Sequence, residues 1–211
     1  MGRDKTRLRL GGRTMLDQVR RAARTAGWPV RVIRRDRVPQ CGPLGGVYTG
    51  LTSTTADAVL FLACDMPFVT ADLIQFLLEG FSAADIAVFT RARGRAGFPF
   101  VVRRVILPVV VRQIEREEFS LQALSKVLRA KVVSPGRKFG PRLRNVNTPD
   151  DWRRARKLWE WRASRGRRDG KAGLEAPNPK LQAPEKHRYE NPKHQIPRAH
   201  RSARGSVDFG I

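Results

Sequence analysis

The 211-residue sequence predicts an α/β protein, a mostly parallel sheet sandwiched between two layers of helices. Two observations carry this. Short apolar runs of strand character alternate with segments of helical period, the order that builds parallel β-α-β units. The clearest run, Asp57 through Ala-Val-Leu-Phe-Leu-Ala to Cys64, is continuous rather than alternating, as in strands buried on both faces. A hydrophobic content of 41% is ordinary for a soluble fold, and the length suffices for one domain with a sizeable core plus an appendage.

Element by element, the chain opens on a basic stretch. Thr14, with Asp17 three residues on, reads as a capping box. Met15, Leu16, Val19, Ala22, Ala23 and Ala26 then form a helical stripe that Gly27 ends. Val30 to Ile33 reads as a strand, and Asp36 to Gly46 as a Pro/Gly-rich loop delivering a short helix through Val47 and Leu51. The strand Ala58–Cys64 follows, then a helix capped by Thr70 that carries Leu73, Phe76 and Leu77. Ile86–Thr90 and Phe98–Val102 flank an Arg/Gly-rich turn, the signature of a hairpin. Val105–Glu117 is helical, with Pro108 tolerated in its first turn. Ser120 caps a helix through Leu121, Leu124 and Leu128, and Lys131–Val133 and Leu143–Val146 read as short strands. Thr148-Pro149-Asp150-Asp151 is a strong helix start: N-cap, proline, then acids near the positive helix end. That helix runs through Trp152, Leu158 and Trp159 to about Arg162. Residues 1–162 are thus expected to form the domain. Residues 163–211, with five prolines and almost no aliphatic content, are expected to be a basic, disordered tail.

The formal net charge is +23, which invites a polynucleotide-binding reading. The charge is spread along the chain, however. The 11 Lys and Arg and 5 Asp and Glu beyond residue 162 contribute only +6 of it. No aromatic-interleaved basic motif accompanies it, so solvated arginine faces such as Arg20, Arg21, Arg24, Arg153, Arg154 and Arg156 explain it better than nucleic acid. A binder of phosphorylated small molecules would share the positive potential. The three histidines, His187, His194 and His200, all lie in the expected tail. Imidazole bases, His-ligated zinc and Ser-His-Asp chemistry are therefore excluded from the expected domain. Cys41 and Cys64 lack metal-ligand spacing and suggest a reducing, cytoplasmic setting. No apolar run is long enough to span a bilayer, and the basic N-terminus lacks the apolar core of a signal peptide.

Asp65 is the first residue past the Ala58–Cys64 run, where open α/β sheets place their ligands. A carboxylate there suits a divalent metal carrying a nucleotide phosphate; an ordinary strand-end residue capping the next helix is the competing reading. Three other segments stand beside it. Met1-Gly2-Arg3-Asp4-Lys5 offers cations for phosphate, with plain surface charge as the alternative. Asp36 through Gly42-Pro43-Leu44-Gly45-Gly46 has glycines that would let backbone approach a ligand, or merely make a tight strand-to-helix turn. Asn145-Val146-Asn147 puts two amides beside a helix N-terminus, fit to orient an anion or simply to cap.

The succession Met-Gly-Arg-Asp-Lys, Gly-Gly-Arg-Thr, Asp36…Gly-Pro-Leu-Gly-Gly, Cys-Asp-Met-Pro-Phe and Asn-Val-Asn-Thr-Pro-Asp resembles the molybdenum cofactor guanylyltransferases, in the MobA-like branch of nucleotidyltransferases. The resemblance covers Met1 to about Trp161. It implies a Rossmann-like three-layer fold and a magnesium-dependent reaction that joins GTP to molybdopterin and releases pyrophosphate. By the same resemblance Lys5, with Arg3 beside it, meets the GTP phosphates, and Asp36 with Gly42, Pro43, Leu44 and Gly45 sits at the nucleotide. Asp65 holds Mg2+, and Asn145 and Asn147 lie on the molybdopterin side. Molybdoenzymes or cofactor-delivery proteins are the implied protein partners. Three departures stand out. The family opens with a strand and a Leu-Ala-Gly-Gly-x-Ser-x-Arg loop before its Met-Gly-x-Asp-Lys, so a central strand and the phosphate cradle are expected to be missing. One strand rather than two precedes the Gly-Pro-Leu-Gly-Gly loop, without a guanine-contacting Asn. Gly97-Phe98-Pro99 replaces the His-Pro of many members. Cytidylyl transfer, another acceptor, or a catalytically degenerate nucleotide-binding module are the alternatives these departures leave.

Overall fold

A computed structural model describes residues 8–92, 94–168 and 207–210. Arg9–Leu10 (β1) and Arg13–Thr14 (β2) form a small antiparallel hairpin. Helix α1 (Met15–Thr25) follows directly and Thr14 caps it, its hydroxyl accepting from the Asp17 N–H at 3.1 Å; the Asp17 carboxylate returns to that hydroxyl, which donates to it at 2.7 Å, rather than to the Thr14 backbone N–H of a full capping box. Next come β3 (Val30–Arg31), α2 (Gly42–Thr52), β4 (Ala58–Phe61), α3 (Ala71–Glu79), β5 (Ala87–Ala92) and β6 (Arg95–Arg103). A 3₁₀ turn at Arg104–Ile106 leads into α4 (Leu107–Glu115), with Pro108 in its first turn as expected. Helix α5 (Leu121–Val127), strand β7 (Lys131–Val133), the one-turn α6 (Gly136–Phe139), α7 (Pro149–Arg168) and β8 (Val207–Gly210) complete the order.

The main sheet runs β3-β8-β4-β6-β5-β7. Only β6 is antiparallel to its neighbours, because the β5–β6 connection is the expected hairpin. The other pairings, β3–β8, β8–β4 and β5–β7, are parallel. Burial explains the layering. On β4, Ala58 and Leu60 face a core built with Val19 and Ala23 of α1 and Leu73, Ile74 and Leu77 of α3. Val59 and Phe61, on the opposite face, pack with Leu44, Val47 and Leu51 of α2 and with Val110 and Leu124 of α4 and α5. All four β4 residues are buried, which is why the run reads as continuous. Fully buried Phe100 of β6 stacks on Phe61 and Phe89, with ring centroids 5.1 Å and 4.6 Å away. A third, smaller core joins Leu10, Met15, Phe68, Val146 and Ala155, and through it α7 lies against the β1–β2 hairpin.

Several expectations are corrected. Leu143–Val146 is not a strand: a 3₁₀ turn spans Gly140–Leu143, and the Val146 N–H is spent on the Asp65 carbonyl at 2.8 Å instead of a ladder. The β4 ladder stops at Phe61, short of Cys64, because the chain turns where the Met66 N–H reaches the Ala63 carbonyl at 3.2 Å. Thr70 stands at the N-cap of α3, its carbonyl accepting from the Ile74 N–H at 3.1 Å, but its hydroxyl makes no capping bond and accepts from Arg142 instead. The boundary expected at residue 162 falls inside α7, and Val207–Gly210 of the expected tail is a strand of the main sheet. It lies between β3 and β4, so that residues far along the chain join these two strands. Residues 169–206 and 211 lie outside the described residues.

Candidate functional site

Strands β3, β8 and β4 run parallel and end level with one another. Val30 and Leu60 both pair with Phe209, and Arg31 and Phe61 both pair with Gly210. The loops leaving β3 and β4 therefore emerge from one edge, the carboxyl edge where open α/β sheets bind ligands. Asp36 lies in the first loop and Asp65 in the second.

Asp65 is held by the segment that the sequence singles out at the other end of the domain. The Asn145 side-chain amide donates to Asp65 Oδ2 at 3.2 Å, and the Val146 N–H donates to the Asp65 carbonyl at 2.8 Å. These two bonds join the strand-end turn to the loop before α7. Two of the expected site segments, remote in sequence, thus form one structure.

The glycine loop makes a close approach within the chain itself. A Cβ at Gly45 would stand 2.8 Å from Asp36 Oδ2 and 2.8 Å from the Val38 carbonyl oxygen. The close approach that Gly45 permits is thus made by the chain's own Asp36 loop. That loop is fastened to α2 a second time, by the Arg37 N–H donating to Thr49 Oγ1 at 2.8 Å. Asp36 consequently lies over the first turn of α2, where a negative charge suits the helix's positive end. Gly42 opens the helix at φ +51°, a left-handed conformation that glycine adopts without a steric cost, and Pro43 follows in the first turn. The Leu44 side chain is fully buried and packs in the core with Val47 and Leu51.

Next to Asn145 opens a cavity of about 640 Å³, lined by Phe68, Asn145, Asn147 and three arginines, Arg91, Arg144 and Arg154. They converge from β5, from the loop before α7 and from α7 itself. Among the described residues, neither Arg91 nor Arg144 is ion-paired with a carboxylate. Asp151 also lines the cavity, but it is engaged: it accepts from the Thr148 hydroxyl at 2.8 Å and from the backbone N–H groups of Thr148 and Asn147 at 3.0 and 3.2 Å. These bonds, the Thr148 hydroxyl first, hold its carboxyl below the usual range. The walls are therefore cationic and amide-rich, suited to an anionic, hydrogen-bonding ligand. The sequence reading missed Arg91 and Arg144 and placed Arg154 on a solvated face. The available signals were Arg144 abutting Asn145, and Arg154 three residues past Asp151.

Arg3 and Lys5 lie outside the described residues. Asp36, Gly42, Pro43, Leu44 and Gly45 do not line the cavity; Asp36 lies in the loop after β3 and the other four in the first turn of α2 that this loop delivers. Among the described residues no three His, Cys, Asp or Glu side chains cluster as a metal cage. A lone carboxylate such as Asp65 fits instead an ion whose other ligands are substrate phosphates and water, the usual habit of Mg2+.

A three-layer, mostly parallel sheet with carboxylate and amide groups gathered at its carboxyl edge is the architecture of Rossmann-like nucleotidyltransferases. The chain belongs to the family with a MobA-like NTP transferase domain, whose model matches residues 20–132. A probable molybdenum cofactor guanylyltransferase of Opitutus terrae is 31% identical over 179 residues, covering 74% of this chain and 89% of that protein. One of Flavobacterium johnsoniae is 28% identical over 117 residues, covering 55% of this chain and 62% of its own length. Among solved structures, molybdopterin-guanine dinucleotide biosynthesis protein A of Archaeoglobus fulgidus superposes with a TM-score of 0.60 at 22% identity, covering 76% of this chain and 92% of that one.

Proposed function

We propose that this chain transfers the guanylyl group of GTP to molybdopterin. A phosphate oxygen of the acceptor attacks the α-phosphorus of GTP, the bond from that phosphorus to the bridging oxygen breaks, and pyrophosphate leaves. Support comes from the family, from the names of its relatives, and from one observation above the others. The Asp65–Asn145 hydrogen bond ties a strand-end carboxylate to an amide that lines an arginine-walled cavity.

In this reading, the Asp36 loop and the first turn of α2 border the nucleotide, and Lys5 and Arg3 neutralise its phosphates. Asn145, Asn147, Arg91, Arg144 and Arg154 receive the anionic acceptor. Asp65 would hold Mg2+, which when bound supplies charge neutralisation on the triphosphate. Asn145 fixes the orientation of the Asp65 carboxylate through the bond to Oδ2. Reactions of this type need alignment and charge neutralisation more than a protein base, in keeping with a described region that has no histidine.

The test is turnover of GTP with molybdopterin and magnesium by the whole protein. Asp65→Asn should lower turnover about 100-fold, equivalent to about 2.7 kcal/mol of transition-state stabilisation. Unchanged turnover at saturating magnesium removes Asp65 from the site. Equal rates with CTP and GTP would overturn the guanylyl assignment while leaving the transferase reading in place.

A further inference from the structure

Beside the first cavity opens a second, of about 310 Å³, and Phe68 lines both. Its walls come from α1, from the Pro67–Ala71 turn into α3, from the 3₁₀ turn before α7 and from α7 itself. Three arginines line it, Arg21, Arg142 and Arg162, and among the described residues no carboxylate does. Arg142 has one acid partner, Asp72, reached through Nη1. Arg162 has none among the described residues; its guanidinium lies over the Phe68 ring, 5.2 Å from the centroid. Burial first, then the charges of Arg142 and Arg144, pull its pKa below the ordinary arginine value. A guanidinium stays charged near neutral pH all the same, so losing a proton offers no escape from this repulsion. A bound anion would relieve it. Two further features suit one. The first turn of α3, to which the Thr70 hydroxyl gives no cap, adds the positive end of a helix. Trp159 and Phe68, with ring centroids 6.2 Å apart, supply an apolar wall.

We propose that this second cavity binds a phosphate group, carried either as inorganic phosphate or as a small phosphate monoester, at a site separate from the cavity beside Asn145. Arg162 and Arg142 meet the phosphate oxygens from α7 and from the 3₁₀ turn, and Arg21 meets them from α1. Planar guanidinium forks match phosphate oxygens in pairs, where an ammonium would act as a point charge. The site does not depend on the guanylyl reading, since none of its lining residues is assigned there to nucleotide, metal or acceptor.

The test is calorimetric titration of the whole chain with inorganic phosphate and with phenyl phosphate. Ionic strength is held constant with sodium chloride, so that the chain's general positive charge is screened equally throughout. An Arg91→Gln, Arg154→Gln background removes two cations of the first cavity, and what it still binds reports the second. Saturable binding with a Kd of about 1 mM or tighter is expected there. Adding Arg162→Gln to that background should weaken binding at least tenfold, and Arg162→Lys, which keeps the charge and loses the fork, should weaken it less. Phosphate should raise the melting temperature of the background protein and not that of Arg162→Gln, a difference that a merely structural arginine would not produce. Thr25 also lines the cavity, and Thr25→Glu leaves every arginine in place while adding a carboxylate of the chain's own. It should weaken phosphate binding at least tenfold, while Thr25→Gln binds like the background. If Arg162→Gln fails to fold, the Thr25 pair decides. Tighter binding of phenyl phosphate than of inorganic phosphate identifies a monoester resting on the Trp159 wall; equal binding identifies free phosphate. The proposal is overturned by absence of saturable binding in the background protein, or by undiminished affinity in Arg162→Gln or Thr25→Glu.

Discussion

Gly45 owes its identity to Asp36. In the interior of α2 an alanine would ordinarily be favoured over glycine by about 1 kcal/mol. Here the added methyl would meet a carboxylate oxygen and a backbone carbonyl at 2.8 Å each, and the backbone partner has little room to give. Gly45→Ala is therefore expected to cost about 1–3 kcal/mol of stability and to displace the Asp36 loop, measured by denaturant unfolding and by a lower affinity for magnesium-GTP. An unfolding midpoint at or above the parent's would show that the loop yields freely. Single residues also mark the limit of what a sequence discloses. Asp65 is legible because its signal is local: an apolar run, then a carboxylate. Arg91 and Arg144 are not, because nothing near them in sequence separates a cavity wall from a solvated arginine. The glycines were legible as a place of close approach, but which group approaches depends on a loop folding back.

At the scale of elements, α3 is tied to the loop before α7 by Arg142, which pairs with Asp72 and bonds Thr70 at the start of α3. Burial, the largest influence on the Asp72 carboxyl, raises its pKa. The Arg142 and Thr70 hydrogen bonds and the guanidinium charge outweigh it, leaving the group below its ordinary value. A carboxyl depressed in the folded state adds stability above its unfolded pKa of about 3.9 and loses it as pH falls through the folded value. Asp72→Asn should therefore lower the melting temperature near pH 7, by the equivalent of about 1 kcal/mol or less for this half-exposed pair. The gap should narrow below about pH 4, and a gap constant down to pH 3 would exclude the ion pair as its cause. Elements with strong periodic or capping signals, such as α1, α5 and the β5–β6 hairpin, were readable in advance. Leu143–Val146 was not, because its apolar residues serve two different cores and its one strand-like hydrogen bond goes to a turn.

For the whole molecule, stability centres on the stacked rings Phe61, Phe89 and Phe100, which bind β4, β5 and β6 under α2, α4 and α5. Phe100→Ala should cost about 3–5 kcal/mol, seen as a large drop in the denaturant midpoint; a loss below about 1 kcal/mol would mean the layer collapses to fill the gap. The α/β class and its layers followed from the alternation of strands and helices. The sheet order did not, because Val-Asp-Phe-Gly is too short and too isolated a run to announce a strand. That late strand has a consequence for biosynthesis. Synthesis proceeds from the N-terminus at about 5–20 residues per second. Segment 30–31 is synthesised well before Val207–Gly210, the strand with which it is paired. Among the described residues no other strand covers those edges of β3 and β4 in the interval, and an open strand edge is the kind of surface that recruits stray strands and chaperones.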